Sequence, residues 1–196
     1  MVGDYMNNRF FIIVLFLVLF LSACGNEKHK KPEVVMYGDF KCPYCKEVEA
    51  DVMPKLTKEY INKDKIDYKF INASILGDDS KLASSAGQSV KLHAKGEYLK
   101  FQKLIYKEQP KDSGRNVQWI NNQVLDNTID KLNASKDVKK KIKSDYKNRK
   151  SKAWKMVKVD HEIVKKKGIK QVPTVSIDGK IVQDPYNFDN YEQLIE

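Results

Sequence analysis

Cysteine is scarce in this chain of 196 residues: Cys24, Cys42 and Cys45 are the full complement. Three thiols, none paired across a long loop, exclude a disulfide-dense scaffold and leave the cysteines to chemistry. Arginine is also rare, since only Arg9, Arg115 and Arg149 stand among 36 basic residues. Dedicated phosphate readers favour the arginine fork, so the net charge of +10 reads as solvation and not as a nucleic-acid surface. That charge is concentrated in residues 136–170, where fifteen basic residues face four acidic ones. A solvated helix face is the default reading of such a segment, with attraction to anionic lipid or wall polymer as the alternative. His29, His93 and His161 form no close pair, so Cys42 and Cys45 lack partners for a zinc site and no metal is expected. Long apolar runs are missing apart from Phe10–Leu21, twelve residues behind Arg9, too few to span a bilayer and suited to a signal segment. The first 23 residues hold 17 of the 81 hydrophobic residues, which leaves a lean core for the remainder.

Leu21-Ser22-Ala23-Cys24, followed by polar Gly25-Asn26-Glu27-Lys28, resembles the lipobox of bacterial lipoproteins. The resemblance implies a signal peptide over 1–23, cleavage after Ala23, and acylation of Cys24 as the mature N-terminus, with a tether over 24–32. The folded part would then sit on the extracellular face of the bacterial cell membrane, lipid-anchored, where disulfides persist. An ordinary signal peptide that happens to precede a cysteine is the alternative.

Val34-Val35-Met36-Tyr37 reads as a buried strand and Ile66–Ile71, with its period of two, as another. Between them Cys42-Pro43 opens a helix, with Pro43 at the first helical position and Val48, Val52, Leu56 and Tyr60 at four-residue steps. The result is a βαβ unit. Residues 79–150 carry only helical spacing and read as an all-helical insertion between a first part, 33–78, and a second part, 151–196. Val138, Ile142, Tyr146, Ala153, Val157, His161 and Val164 mark a long amphipathic helix with a break near Ser151, ended by Gly168. Val172–Ile177, Asp178-Gly179 and Lys180–Val182 give a hairpin with a two-residue type I′ turn, and Asn187–Glu196 a closing helix.

Cys-x-x-Cys at a helix start inside a βαβ unit is a redox pattern. The first thiol faces free backbone N–H groups and the positive helix end, which stabilise its thiolate, so Cys42 is the candidate nucleophile. Cys45, one turn inside, is placed to attack a mixed disulfide on Cys42. A purely structural crosslink is disfavoured, because a four-residue loop yields only about 2 kcal/mol.

Tyr37-Gly38-Asp39-Phe40-Lys41-Cys42-Pro43-Tyr44-Cys45, together with Gly168–Thr174 and the long helical insertion, resembles the DsbA-like thiol-disulfide oxidoreductases, specifically the lipoproteins of Gram-positive bacteria. The resemblance covers 24–196. It implies an α/β thioredoxin fold with an inserted all-helical domain, and a cis bond at Val172-Pro173. It also implies that Val172, Pro173 and Thr174 dock the substrate backbone beside Pro43 and Tyr44 of the active-site motif. Two positions depart from the family pattern. Met36 stands where many members bury a carboxylate six residues before the first Cys, which leaves the base for Cys45 unassigned. Tyr44 stands where the enterobacterial enzyme has His, so less thiolate stabilisation is expected. The alternating roles left open for Tyr37, Phe40, Tyr44 and Tyr186 are a peptide groove or core, while Lys41 and Lys46 are expected to be exposed.

The expected function is a thiol-disulfide oxidase that introduces disulfides into reduced, unfolded exported proteins through Cys42 and Cys45, as a monomer with no cofactor and no nucleic acid. A thioredoxin-like reductase and a non-catalytic binding or scaffold lipoprotein are the alternatives.

Overall fold

Continuous hydrophobic strands belong in the middle of sheets covered on both faces, and that is where the Val34–Tyr37 run lies. In the computed structural model, which describes residues 30–111 and 117–196, strand β1 (Glu33–Gly38) is buried from Val34 onward. It pairs in parallel with β2 (Asp67–Asn72), Val34 opposite Tyr68 and Met36 opposite Phe70. On its other side it pairs antiparallel with β3 (Thr174–Ile177), Tyr37 opposite Thr174. A short β4 (Lys180–Ile181) completes the order β2-β1-β3-β4. Asp178 and Gly179 both have positive φ, 47° and 84°, as the type I′ turn requires. Alternation along β1 sends Val34 and Met36 to the main core, and Val35 and Tyr37 to a smaller cluster with Ala73 and Val164. The signal peptide 1–23, Cys24 and His29 lie outside the described residues, as do most of the tether 24–32 and of the polar loop after Pro110.

Parallel pairing of β1 and β2 requires a crossover, supplied by helix α1 (Pro43–Asp51), the short α2 (Met53–Leu56) and a π-helical turn (Thr57–Ile61). Val48, Val52, Leu56 and Tyr60 are all buried along this path. The path is segmented because Pro54 has no N–H to return to the preceding turn. Next come α3 (Asp78–His93), α4 (Tyr98–Lys107), α5 (Asn122–Asp130), α6 (Lys136–Lys147), α7 (Lys152–Lys166) and, after β4, α8 (Asp189–Ile195). Helix α3 is central to the helical layer: its Ala83, Ser84, Ser85, Ala86, Gly87 and Ser89 are buried, small side chains that let neighbours approach. A Cβ on Gly87 would lie 3.2 Å from the Phe40 ring. The break expected near Ser151 separates α6 from α7, and Ser151 caps α7 by accepting from Trp154 N. Trp154 Nε1 donates to Tyr146 O across that break at 2.6 Å.

Phe40 joins the sheet to the helices. Its ring stacks on Phe70 of β2 at 5.1 Å and meets Phe101 and Tyr106 of α4 edge-on at 5.8 and 5.5 Å. Fully burying such a ring is worth about 1.5–3 kcal/mol, which fixes the loop just before Cys42 against both layers.

Candidate active site

At the C-terminal end of β1 the chain turns through Asp39-Phe40-Lys41 and starts α1. Cys42 is the N-cap, with extended backbone (φ −76°, ψ 119°), and Pro43 follows at a position whose missing N–H costs nothing. Cys42 N donates to Asp39 O at 2.9 Å. Both thiols are free and buried, Cys42 at 1% and Cys45 at 0% exposure. Accessibility therefore does not separate them.

Protonation does separate them. The Cys42 thiol is lowered to about 7, first by the hydrogen bond that Cys45 donates to it, then by the backbone N–H groups of Cys45 and Tyr44, against burial and the Asp39 charge. Cys45 is pushed up, chiefly by burial and then by its bond to Cys42. A thiolate on Cys42 beside a thiol on Cys45 is the arrangement the helix terminus favours.

The loop before β3 closes the other side. Cys42 Sγ lies 3.5 Å from Val172 O, the Val172–Pro173 bond is cis, and Thr174 Oγ1 donates to Gln171 O at 2.8 Å. Pro43, Tyr44, Val172, Pro173 and Thr174 thus gather with the two cysteines, residues 130 positions apart meeting at one sulfur. Of the four aromatics, Tyr37 and Phe40 belong to the core, whereas Tyr44 and Tyr186 are exposed at 44% and 39%. Burial raises the Tyr186 pKa, followed by the Glu47 charge and smaller contributions from Cys45, Cys42 and Tyr44.

Polar residues to which the sequence assigns no role hold this loop. The Asp39 carboxylate accepts from Lys41 N, Ile75 N, Leu76 N and Ser80 Oγ. Burial raises its pKa and these donors pull it down. Lys41 is not exposed: at 3% exposure its ammonium pairs with Asp79 at 2.9 Å and donates to Leu76 O at 2.8 Å, which satisfies a charge that could not otherwise be buried. Lys46 is half-buried and donates to Gln109 O at 3.0 Å. Gln109 Nε2 returns a bond to Lys41 O at 2.7 Å, and Tyr106 OH donates to Asp39 O at 3.3 Å. The clamp is thus assembled from the helical insertion and from the Ile75–Leu76 backbone just before it. Its one trace in the sequence is Gln109-Pro110, which marks the end of a helix but not a contact.

Behind Cys45, Tyr68 OH donates to Met36 Sδ at 3.7 Å, and Gln102 Nε2 donates to Glu49 Oε2 at 2.7 Å. Among the described residues no cluster of three or more His, Cys, Asp and Glu side chains is placed to hold a metal ion. His161, on the stripe of α7, is exposed.

A sequence model for the family described as Thioredoxin matches residues 22–196. The probable disulfide bond formation protein D of Bacillus anthracis is 30% identical over 164 residues, 84% of this chain and 72% of that one. The crystal structure of oxidised BdbD from Bacillus subtilis superposes with a TM-score of 0.76 at 24% identity, covering 86% of this chain and 88% of that one. MdbA of Corynebacterium diphtheriae, a thiol-disulfide oxidoreductase, gives a TM-score of 0.64 at 26% identity, with 86% and 85% covered.

Proposed function

The chain belongs to the thioredoxin family, among its DsbA-like thiol-disulfide oxidoreductases, and from that premise we propose that it oxidises the thiols of exported proteins through the Cys42–Cys45 pair. In the oxidised enzyme a substrate thiolate attacks Cys42 Sγ, the Cys42–Cys45 bond breaks, and Cys45 leaves with the electron pair and takes up a proton. A second substrate thiolate then attacks the substrate sulfur of the mixed disulfide, and Cys42 leaves as a thiolate. Two electrons pass from the substrate to the enzyme, and one disulfide is gained by the substrate.

The observation that carries this direction is the contrast between the two thiols. A Cys42 thiol at about 7 makes a good leaving group, and whatever stabilises its thiolate stabilises the reduced enzyme and makes its disulfide more oxidising. Val172 O, Pro173 and Thr174 line the approach to Cys42 and support backbone docking there. Exposed Tyr44 and Tyr186 offer apolar rings to the side chains of an unfolded substrate.

Disulfide formation also needs an oxidising compartment. The Leu21–Cys24 motif supports attachment through acylated Cys24 on the extracellular face of the membrane. Intact mass of the membrane form tests that part, and an unmodified soluble chain with another N-terminus sinks it. The activity is tested by refolding a reduced substrate with the oxidised enzyme. Disulfide gain that disappears in C42S supports the proposal, and no gain with the intact pair rejects it.

A further inference from the structure

The basic segment 136–170 divides once its cations are traced to their partners. On α6 three of them are used internally: Lys143 and Lys147 pair with Asp130 and Asp126 of α5 at 2.7 and 2.6 Å, and Lys139 Nζ donates to Asp130 O at 2.8 Å. The end of α7 is different. Between Glu162 and Asp178 the chain carries Lys165, Lys166, Lys167 and Lys170 and no acidic residue. All four are exposed, and their amines make no ion pair or hydrogen bond with a described residue.

These lysines lead directly into the loop that faces Cys42. Gly168, with a φ of 65°, closes α7: Gly168 N donates to Lys165 O and Ile169 N to Val164 O, both at 3.1 Å, which is the Schellman pattern. Ile169 and Val172 then pack on the cluster of Val35, Tyr37, Ala73 and Val164. The turn therefore shares one apolar base with the loop that brings Val172 O to 3.5 Å from Cys42 Sγ. Lys170 stands two residues before Val172, so their Cα atoms are at most about 7 Å apart. An extended chain advances about 3.3 Å per residue, which puts side chains two to four places from a substrate cysteine roughly 7–13 Å along it. That is the scale on which this turn is separated from Cys42. The helix dipole explains cations in the last turn of α7, but it gives no reason for Lys170, which lies outside the helix.

We infer that this turn selects substrates whose cysteine is flanked by acidic side chains, with Lys166, Lys167 and Lys170 as the specificity-determining residues. The inference rests on the proposed thiol oxidation and names the class of polypeptide that it favours. A membrane seated on the same lysines would cover the approach to Cys42, so an acidic polypeptide is the better fit. The attraction is local, since the screening length is about 10 Å at 0.1 M salt. Lys152, Lys155 and Lys158, at the other end of α7, lie roughly 13–22 Å from Lys167 along the helix axis and contribute little.

The test compares two dithiol peptides that differ only in carrying Glu or Gln at the positions two to four residues from one cysteine. The rate of their oxidation by the oxidised protein is measured near pH 7 and referred to thiolate concentration. The parent should oxidise the Glu peptide roughly fivefold faster, the scale of two to three exposed ion pairs. Raising salt from about 0.02 to about 0.5 M should reduce that advantage to less than about 1.5-fold. K166S/K167S/K170S should lose the advantage while oxidising the Gln peptide within about twofold of the parent, and K170S alone should lose about half of it. K152S/K155S/K158S, with the same change in net charge, should keep it. Equal rates for the two peptides with the parent overturn the inference, as does an equal loss in both triple variants. Binding to vesicles of equal parts phosphatidylcholine and phosphatidylglycerol that is lost in K166S/K167S/K170S, without any peptide preference, overturns it in favour of lipid. A parent that fails to oxidise even the Gln peptide rejects the proposed oxidation itself, and this inference with it.

Discussion

Cys42 and Cys45 stand one helical turn apart, yet the regions around them are built on opposite principles. The mouth around Cys42 joins the Cys45 thiol to backbone groups, helix N–H groups on one side and the Val172 carbonyl on the other, all positioned by β1, β3 and the start of α1. The floor beneath Cys45 is the main buried core between the sheet and the helical layer, in surroundings that oppose charge. The difference teaches that an asymmetric thiol pair needs little sequence-specific chemistry at its reactive sulfur. Most of the specific residues serve to keep the second sulfur protonated and the loop in place.

The largest expected effect comes from removing one sulfur at a time. C42S should abolish exchange altogether, whereas in C45A the Cys42 thiolate should attack a disulfide-bearing substrate, release one substrate thiolate and stall as the mixed disulfide, with no second enzyme thiol to resolve it. Mass spectrometry of the trapped species checks this. Equal trapping by both single variants would erase the distinction between mouth and floor.

Next in size is the clamp. K41M leaves the Asp79 carboxylate buried without its cation and is expected to cost about 3–5 kcal/mol in denaturant unfolding. Both side chains are nearly inaccessible, at 3% and 7%, so solvent screening gives little relief. Replacing both partners with apolar residues, K41M/D79L, should recover most of the loss. A cost below about 1 kcal/mol for K41M would show that the pair is solvated and the loop held by other contacts.

The same comparison has a pH signature. The Cys42 pKa in the folded, reduced protein is about 7, below its ordinary value of 9.0. Its contribution to stability is therefore fully present above pH about 9 and is lost as pH falls through 7. Two units correspond to about 2.7 kcal/mol between those limits. Cys45 is shifted the other way, so it subtracts stability only above the ordinary thiol value. Unfolding of the reduced form should thus become harder between pH 7 and 8.5, while the oxidised form, with no titrating thiol, shows no such rise. Parallel curves for the two forms would remove the proposed thiolate.

Smallest is the rim. Y186A, at an exposed residue, should change stability by less than about 0.5 kcal/mol while weakening substrate thiol exchange a few-fold. A full loss of activity would place Tyr186 in the chemistry instead.

The mouth was largely legible in the sequence, because its parts are local: an apolar strand, Cys42-Pro43 at a helix start, and a hairpin with Asp178-Gly179 at its turn each carry their own signature. Joining Val172-Pro173 to Cys42 required the family resemblance, since no periodicity brings together residues so far apart in the chain. The floor and the clamp were not legible. Asp39, Ser80 and Gln109 are ordinary polar residues whose burial depends on how α3 and α4 pack on the loop. Lys41 reads as a surface lysine until Asp79 is placed against it. Glu49 falls among the charged residues of an amphipathic helix, and only the packing of α4 over α1 turns it inward.

The most direct test of the account is the equilibrium of the Cys42–Cys45 pair against a glutathione buffer at pH 7, read by the fraction of oxidised protein. A thiolate stabilised at Cys42 and a protonated Cys45 should place the couple among the oxidants, clearly above the roughly −270 mV of a reducing thioredoxin. A potential at or below that value, with the oxidised form the more stable by several kcal/mol, would contradict the oxidase assignment and make the protein a reductant.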